Sequence, residues 1–267
     1  MMKSLLLPVV VLLALPTAAH ADDDEVLYRS QLVVTGDREE TRVPAIPKGF
    51  ELAAQKLTGN PDVANDPGFA DIAAKAGSMI WSYTYHDRKF GVPIHDEQGT
   101  RDRPFILTFQ FEKTRMDAAM AKLGEKPWLG TRPTLAVVLE VTDMTRTYML
   151  AADSEHGEDQ RASFADASAR FGLPVVFVTE ADLQAAGITA ANIDSAPKDK
   201  LAALQKQAHA DALVLGHLDW DHQALGWHAT WSLPLKPGAG SWDINGVNYD
   251  AAFREAVGGA AKRLRPQ

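Results

Sequence analysis

Apolar positions along this chain recur at two spacings, every second residue and every third or fourth, and the switches between them mark out its elements. A β-rich run over 26–34 ends at Thr35-Gly36-Asp37. Phe50, Ala53, Ala54 and Leu57 stand at helical spacing, so a helix is predicted over 50–57. Pro44, Pro47 and Gly49 are expected to keep that helix from starting earlier, and Thr58-Gly59-Asn60-Pro61 to stop it. Asp66-Pro67 opens a second helix bearing Phe69, Ile72, Ala73 and Ala76. Met79, Trp81, Tyr83 and Tyr85 then alternate onto one strand face, a polar stretch runs over 86–103, and Leu107, Phe109 and Phe111 mark a further strand. A helix over 114–123 completes the order β-α-α-β-β-α.

The second half opens on a nearly unbroken apolar run over 135–141, the pattern of a strand covered on both faces. A return strand is predicted over 146–150, helices over 159–171, 180–186 and 197–210, and a strand over 175–178. Runs over 212–218 and 226–233 read as an antiparallel hairpin, with 241–247 as a third strand. Asn248 caps a last helix whose Tyr249, Phe253, Val257, Ala260 and Leu264 share one face. Two prolines and a glycine in Glu125-Lys126-Pro127-Trp128-Leu129-Gly130-Thr131-Arg132-Pro133 forbid a continuous helix or central strand there. The expected architecture is α/β with mixed sheets: two small α/β sandwich domains in tandem, 22–124 and 135–267, joined by a linker at 125–134 and preceded by a signal peptide at 1–21.

That leader has its own pattern. Lys3 precedes an apolar stretch over 5–15, Pro16 breaks it, and Ala19-His20-Ala21 supplies the small-x-small site of signal peptidase after Ala21. The apolar run is roughly half the 20 residues that a membrane span needs, so no transmembrane segment is expected after cleavage. The expected address is the bacterial periplasm. Cleavage removes one lysine and no acid, taking the net charge from −8 to −9. An acidic pI near 5.5 and scattered basic residues argue against nucleic acid as a partner. The chain has no cysteine, which removes disulfides, thiol catalysis and a lipid anchor on an N-terminal cysteine.

Chemistry is thin. No G-x-S-x-G elbow, H-E-x-x-H helix, Walker A loop or G-x-G-x-x-G turn occurs, and no catalytic residue or cofactor is assigned. His217, Asp219 and Asp221 would share one strand face, roughly 7 Å apart at each step of two, and with His222 or His228 could offer a divalent cation nitrogen and oxygen donors. The competing reading is a strand running out into a polar turn. His86, Asp87, Arg88, His95, Asp96, Arg101 and Arg103 crowd the longest polar connection, which could contact a ligand or simply be a hairpin loop held by local ion pairs. Trp227, Ala229, Trp231 and Leu233 alternate onto one face and read as core, with stacking on a sugar or a partner as the competing reading.

Several segments resemble a family of exported proteobacterial proteins, domain of unknown function 2066 (DUF2066). They include Leu27-Tyr28-Arg29-Ser30, Leu57-Thr58-Gly59, the stretch from His95-Asp96-Glu97 to Arg103-Pro104, Lys126-Pro127-Trp128-Leu129, Arg132-Pro133 and Ala224-Leu225-Gly226-Trp227. The family shows a longer uninterrupted helix where this chain carries Pro44 and Pro47, and it implies no catalytic residues. Ala208-His209-Ala210-Asp211-Ala212-Leu213-Val214-Leu215-Gly216 is similar to the helix-to-strand step of the TolB N-terminal domain, an envelope domain that binds other proteins. The resulting expectation is a non-catalytic envelope binding or scaffold protein with an envelope or cell-wall-associated partner. The alternatives are a metal-dependent hydrolase and a periplasmic protein that captures a small ligand.

Overall fold

The structure is a computed structural model that describes residues 24–91 and 102–266. The expected leader with Ala19 and Ala21, and the loop residues His95, Asp96 and Arg101, lie outside the described residues. The described residues form a mixed α/β structure with two sheets, of three and six strands.

The small sheet has the order β1-β3-β2 and is antiparallel throughout, from β1 (Arg29–Thr35), β2 (Ile80–Asp87) and β3 (Pro104–Phe111). Its inner face carries Ser30, Val34, Leu107, Phe109 and Phe111, all buried. Against it pack α1 (Glu39–Thr58), α2 (Phe69–Ala73) and α3 (Lys113–Lys122), through Phe50, Leu57, Phe69, Met116 and Met120.

Helix α1 corrects the sequence expectation. It begins at Glu39, not at Phe50, and holds Pro44 and Pro47 inside it. An interior proline costs about 3 kcal/mol because it removes an amide and crowds the carbonyl four residues back. Here both prolines are exposed, so water can serve the carbonyls of Glu40 and Val43 that they leave unmatched. The opposite side of the same turns is anchored. Ala45 and Ile46 pack on the core, and the Arg42 guanidinium lies 4.2 Å from the Tyr83 ring centroid. Tertiary contact overrides propensity.

The large sheet has the order β5-β4-β7-β8-β9, with β6 also on β4. Its strands are β4 (Leu135–Thr142), β5 (Thr147–Leu150), β6 (Val175–Phe177), β7 (Ala212–Asp221), β8 (Gly226–Ser232) and β9 (Ser241–Val247). β6 and β7 run parallel to β4, and the remaining pairs are antiparallel. One face packs on α4 (Glu158–Phe171) and α7 (Tyr249–Leu264), the other on α5 (Glu180–Ala186) and α6 (Lys198–Gln207). Strand β4 therefore sends Leu135, Val137, Leu139 and Val141 to one core and Ala136 and Val138 to the other, which is why its sequence is almost continuously apolar. Helix α6 stops at Gln207, short of the predicted 210. The chain takes a left-handed turn at His209 (φ 51°), and the amides of Asp211 and Ala212 then both donate to the Thr134 carbonyl.

The segment between the sheets is no loose tether. Trp128 is 7% exposed and belongs to the core of the large sheet, while its amide donates to the Leu57 carbonyl at 2.8 Å. Arg132 is 6% exposed, and among the described residues no carboxylate lies within ion-pair distance of it. Its guanidinium instead donates to the carbonyls of Phe171 (2.6 Å), Lys56 (2.6 Å) and Trp128 (3.0 Å). Phe171 and Lys56 lie at the C-terminal ends of α4 and α1, where unmatched carbonyls concentrate partial negative charge, so one cation serves two helix ends. Arg170 to Gln55 (2.8 Å), Arg265 to Glu125 (2.7 Å) and Lys262 to Asp62 (2.6 Å) bridge the same junction.

Candidate functional site

The outer face of the small sheet is built from two cross-strand rows. Arg29, Gln110 and Ser82 form one, and Gln31, Thr108 and Thr84 the next. Alternation along each strand sends the residues between them inward, so these two rows give this part of the face polar residues from all three strands. It is the floor of an open depression of about 980 Å³. One end is bounded by Asp24, Glu25, Tyr28, Glu112 and Lys113, which continue β1 and β3 past the first row.

Trp81 stands at the side of this depression, 75% exposed. A bulge puts it there. Ile80 pairs with Phe111 and Ser82 with the next residue back, Gln110, so Trp81 is the extra residue on β2. The strict alternation expected for Met79, Trp81, Tyr83 and Tyr85 breaks at that point, and Trp81 leaves the inner face that Tyr85 keeps. Tyr83, 45% exposed, borders the depression at the strand edge but stands at an inward register position, with the Arg42 guanidinium of α1 over its ring. β2 is an edge strand, as is β1.

The charges around this face are largely engaged with one another. Arg29 Nε donates to Gln110 Oε1 at 3.1 Å, and Gln31 Nε2 to Thr108 Oγ1 at 3.1 Å. Lys113 donates to the Tyr28 hydroxyl (2.9 Å), which donates in turn to Asp117 (2.7 Å). Burial, then the hydrogen bond to Asp117, pushes the Tyr28 hydroxyl well above the ordinary tyrosine range, so it is a fixed donor. Glu112 caps α3 by accepting from the amides of Thr114 and Arg115, and those two bonds hold its carboxyl below its usual value. Behind the sheet, burial lowers the Lys56 ammonium to about 8, helped by repulsion from Arg132 and Arg29, while its Nζ donates to the Arg29 carbonyl at 2.9 Å.

The residues singled out in the polar connection part company. His86 is exposed and extends the outer face as a third row with Ile106 and Val33. Asp87 turns inward to pair with Arg103 at 2.9 Å, and Arg103 Nη2 donates to the Lys89 carbonyl at 2.6 Å. Arg88 is exposed, and its amide closes the strand pair on the Pro104 carbonyl. Asp102 meets Arg38 at the start of α1. Local ion pairs hold the described ends of this connection.

In the large sheet, His217, Asp219 and Asp221 do stand in β7, opposite the Leu218 side of the strand. They are engaged separately. His217 Nδ1 lies 2.9 Å from Glu140 Oε2 on the adjacent strand. Its Nε2 is 2.9 Å from Asp194 Oδ1 without making a hydrogen bond. Asp221 accepts from the amides of Gln223 and Ala224, which lowers its carboxyl and makes it the start of the β7–β8 turn. Asp219 faces His228 across the pair, and His222 is an exposed turn residue. Among the described residues no three His, Asp or Glu side chains are gathered as a metal site requires.

The tryptophans divide as their strands dictate. Trp231 (1% exposed) and Trp242 (9%) are core, and Trp220 meets Trp227 edge to face with ring centroids 5.4 Å apart.

Residues 21–129 match a family described as a domain of unknown function (DUF8605). This overturns the resemblance to DUF2066, for which no match is found, and the match reaches less than half of the chain. The motifs that suggested DUF2066 include the junction residues Trp128 and Arg132, whose buried packing role does not identify a family. No curated protein matches the chain, and no solved structure does, so the likeness to the TolB N-terminal domain carries no argument either.

Proposed function

We propose that this chain is exported to the periplasm, loses residues 1–21, and works there without catalysis by binding an envelope or cell-wall-associated partner through the outer face of its small sheet. The observation that carries the reading is Trp81. A sheet bulge holds a large aromatic side chain 75% exposed beside a depression of about 980 Å³. An exposed indole leaves apolar area in water that contact with a partner would remove, and such residues are the usual anchors of binding surfaces. The edge position of β2 extends the surface available to a partner. The leader pattern supports the address, as does the start of the DUF8605 match at residue 21, beside the expected cleavage position. Among the described residues no helix is long and apolar enough to cross a membrane.

The test has two arms. Protein recovered from the periplasm should begin at Asp22, and an intact leader in the cytosolic fraction would refute the address. Isolated envelope material should retain the purified protein, and retention should fall about tenfold for Trp81→Ala but not for Leu225→Ala, a similarly exposed residue of the β7–β8 turn. Equal retention of both variants would remove the outer face from the proposal.

A further inference from the structure

The geometry points to an uncharged saccharide chain as the ligand of the outer face, bound by stacking on Trp81 and by hydrogen bonds to the two polar rows. This inference rests on the binding-protein reading above and adds the ligand class.

Three features of the face select that class. The first is its floor. Gln31, Gln110, Thr108, Thr84 and Ser82 present neutral amides and hydroxyls, each able to donate and to accept, which is what a ligand covered in hydroxyl groups needs. Strand geometry spaces them by about 4.8 Å across the sheet and about 6.8 Å along it, a regular grid suited to a repeating polymer. The second is Trp81, whose free π-face would cover the C–H side of a sugar ring while the floor reaches the ring's hydroxyl edge.

The third is charge. Arg29 is engaged by Gln110, Lys113 by Tyr28 and Asp117, Glu112 by the amides of α3, and Asp24 by the Gly130 amide at 3.1 Å. A phosphate, a nucleic acid or an acidic glycan needs convergent cations, and here Arg29 at the end of the floor and Lys113 beside it stand against Asp24, Glu25 and Glu112. That near balance of charge, with the rest of the floor neutral, complements an uncharged ligand. The volume of about 980 Å³ lies at the upper end of the usual range for small-ligand sites, which favours several linked rings over one. The open shape favours a chain lying along the face over a ligand enclosed in it.

The experiment titrates the purified protein with chitohexaose, cellohexaose and maltohexaose, read by tryptophan fluorescence and by calorimetry. At least one should bind saturably, with affinity cut about tenfold or more by Trp81→Ala and only about twofold by Trp81→Phe, which keeps a stacking ring. Gln31→Ala should weaken the same ligand about threefold, and its exposed position leaves the fold intact. A saccharide bearing sulfate or carboxylate groups should bind more weakly than its uncharged counterpart. Failure of all three hexasaccharides at millimolar concentration, binding that survives Trp81→Ala, or preference for a cationic peptide would overturn the inference. If saccharides fail while Trp81→Ala still abolishes envelope retention, the ligand class is wrong and the binding face stands. If saccharides fail and retention is unchanged, both readings fall.

Discussion

Arg132 Nη1 donates to the carbonyl of Phe171 at 2.6 Å, joining the segment that follows the small sheet to the last residue of α4, 39 positions along the chain. The same guanidinium holds the Lys56 carbonyl at the end of α1, so two helices from different sheets end on one buried cation. Its pKa is lowered to about 10 by burial, which the charge of Asp24 opposes, so it remains charged at neutral pH, and the helix-end carbonyls accept its hydrogen bonds.

Arg132→Met should therefore destabilise the protein by about 3 kcal/mol, because carbonyls at both helix ends lose their donor in a buried setting. Arg132→Lys should recover only part of this, since an ammonium cannot span both helix ends as the planar fork does. Urea denaturation of the two variants against the parent checks the order.

Gly59 closes α1 in the left-handed region (φ 66°), and a Cβ there would sit 2.5 Å from the Trp128 ring. Gly59→Ala should cost about 3 kcal/mol. Gly124→Ala, with a similar φ of 68° but open space around it, should cost only the backbone strain of about 1 kcal/mol. Comparable losses would show that the contact with Trp128 is slack.

Replacing Pro44 and Pro47 together by alanine should raise stability by about 2 kcal/mol. Two interior carbonyls regain amide partners, and part of the gain is offset by the freer unfolded chain. Thermal melting followed by far-ultraviolet circular dichroism reads this, with the native helix signal unchanged.

Lys56 gives a pH signature. Its folded pKa, about 8, lies below the ordinary 10.5, so between those values the unfolded chain binds more protons and stability rises with pH. From pH 8 to 10 the rise should amount to about 2 kcal/mol, and Lys56→Met should flatten it. A parent and variant with parallel profiles would show that the ammonium is better solvated than its position implies.

Two tryptophans should respond to very different extents. Trp81→Ala should change stability by about 0.5 kcal/mol or less, since the side chain is 75% exposed. Trp231→Ala should cost about 4 kcal/mol, because its ring is 1% exposed and lies so close over Gly216 that a Cβ there would be 2.1 Å from it. The contrast separates a side chain that the fold does not need from one kept for packing.

Local pattern was enough for much of this molecule. The doubly buried run of β4, the inward tryptophan of β8, the cap at Asn248 and the order of elements are all legible because each depends on near neighbours and on a period of two or 3.6. The position of Trp81 was not. Its spacing puts it on one face with Met79, Tyr83 and Tyr85, and only the pairing of β2 with β3, which absorbs one extra residue, turns it away from the side that Tyr85 keeps. The length of α1 was likewise hidden, since proline propensity is a local quantity and the packing of Ile46 and the stacking of Arg42 on Tyr83 are not. His217 and Asp221 shared a strand face as spacing required, but Glu140, Asp194 and the turn amides, distant or differently oriented, decided what each one meets. What the sequence by itself determined is where the chain buries its apolar residues, because burial is written in periodicity. What only the tertiary structure decided is which surfaces stay open and which cations are trapped, because those depend on strand register and on helix ends brought together from distant parts of the chain.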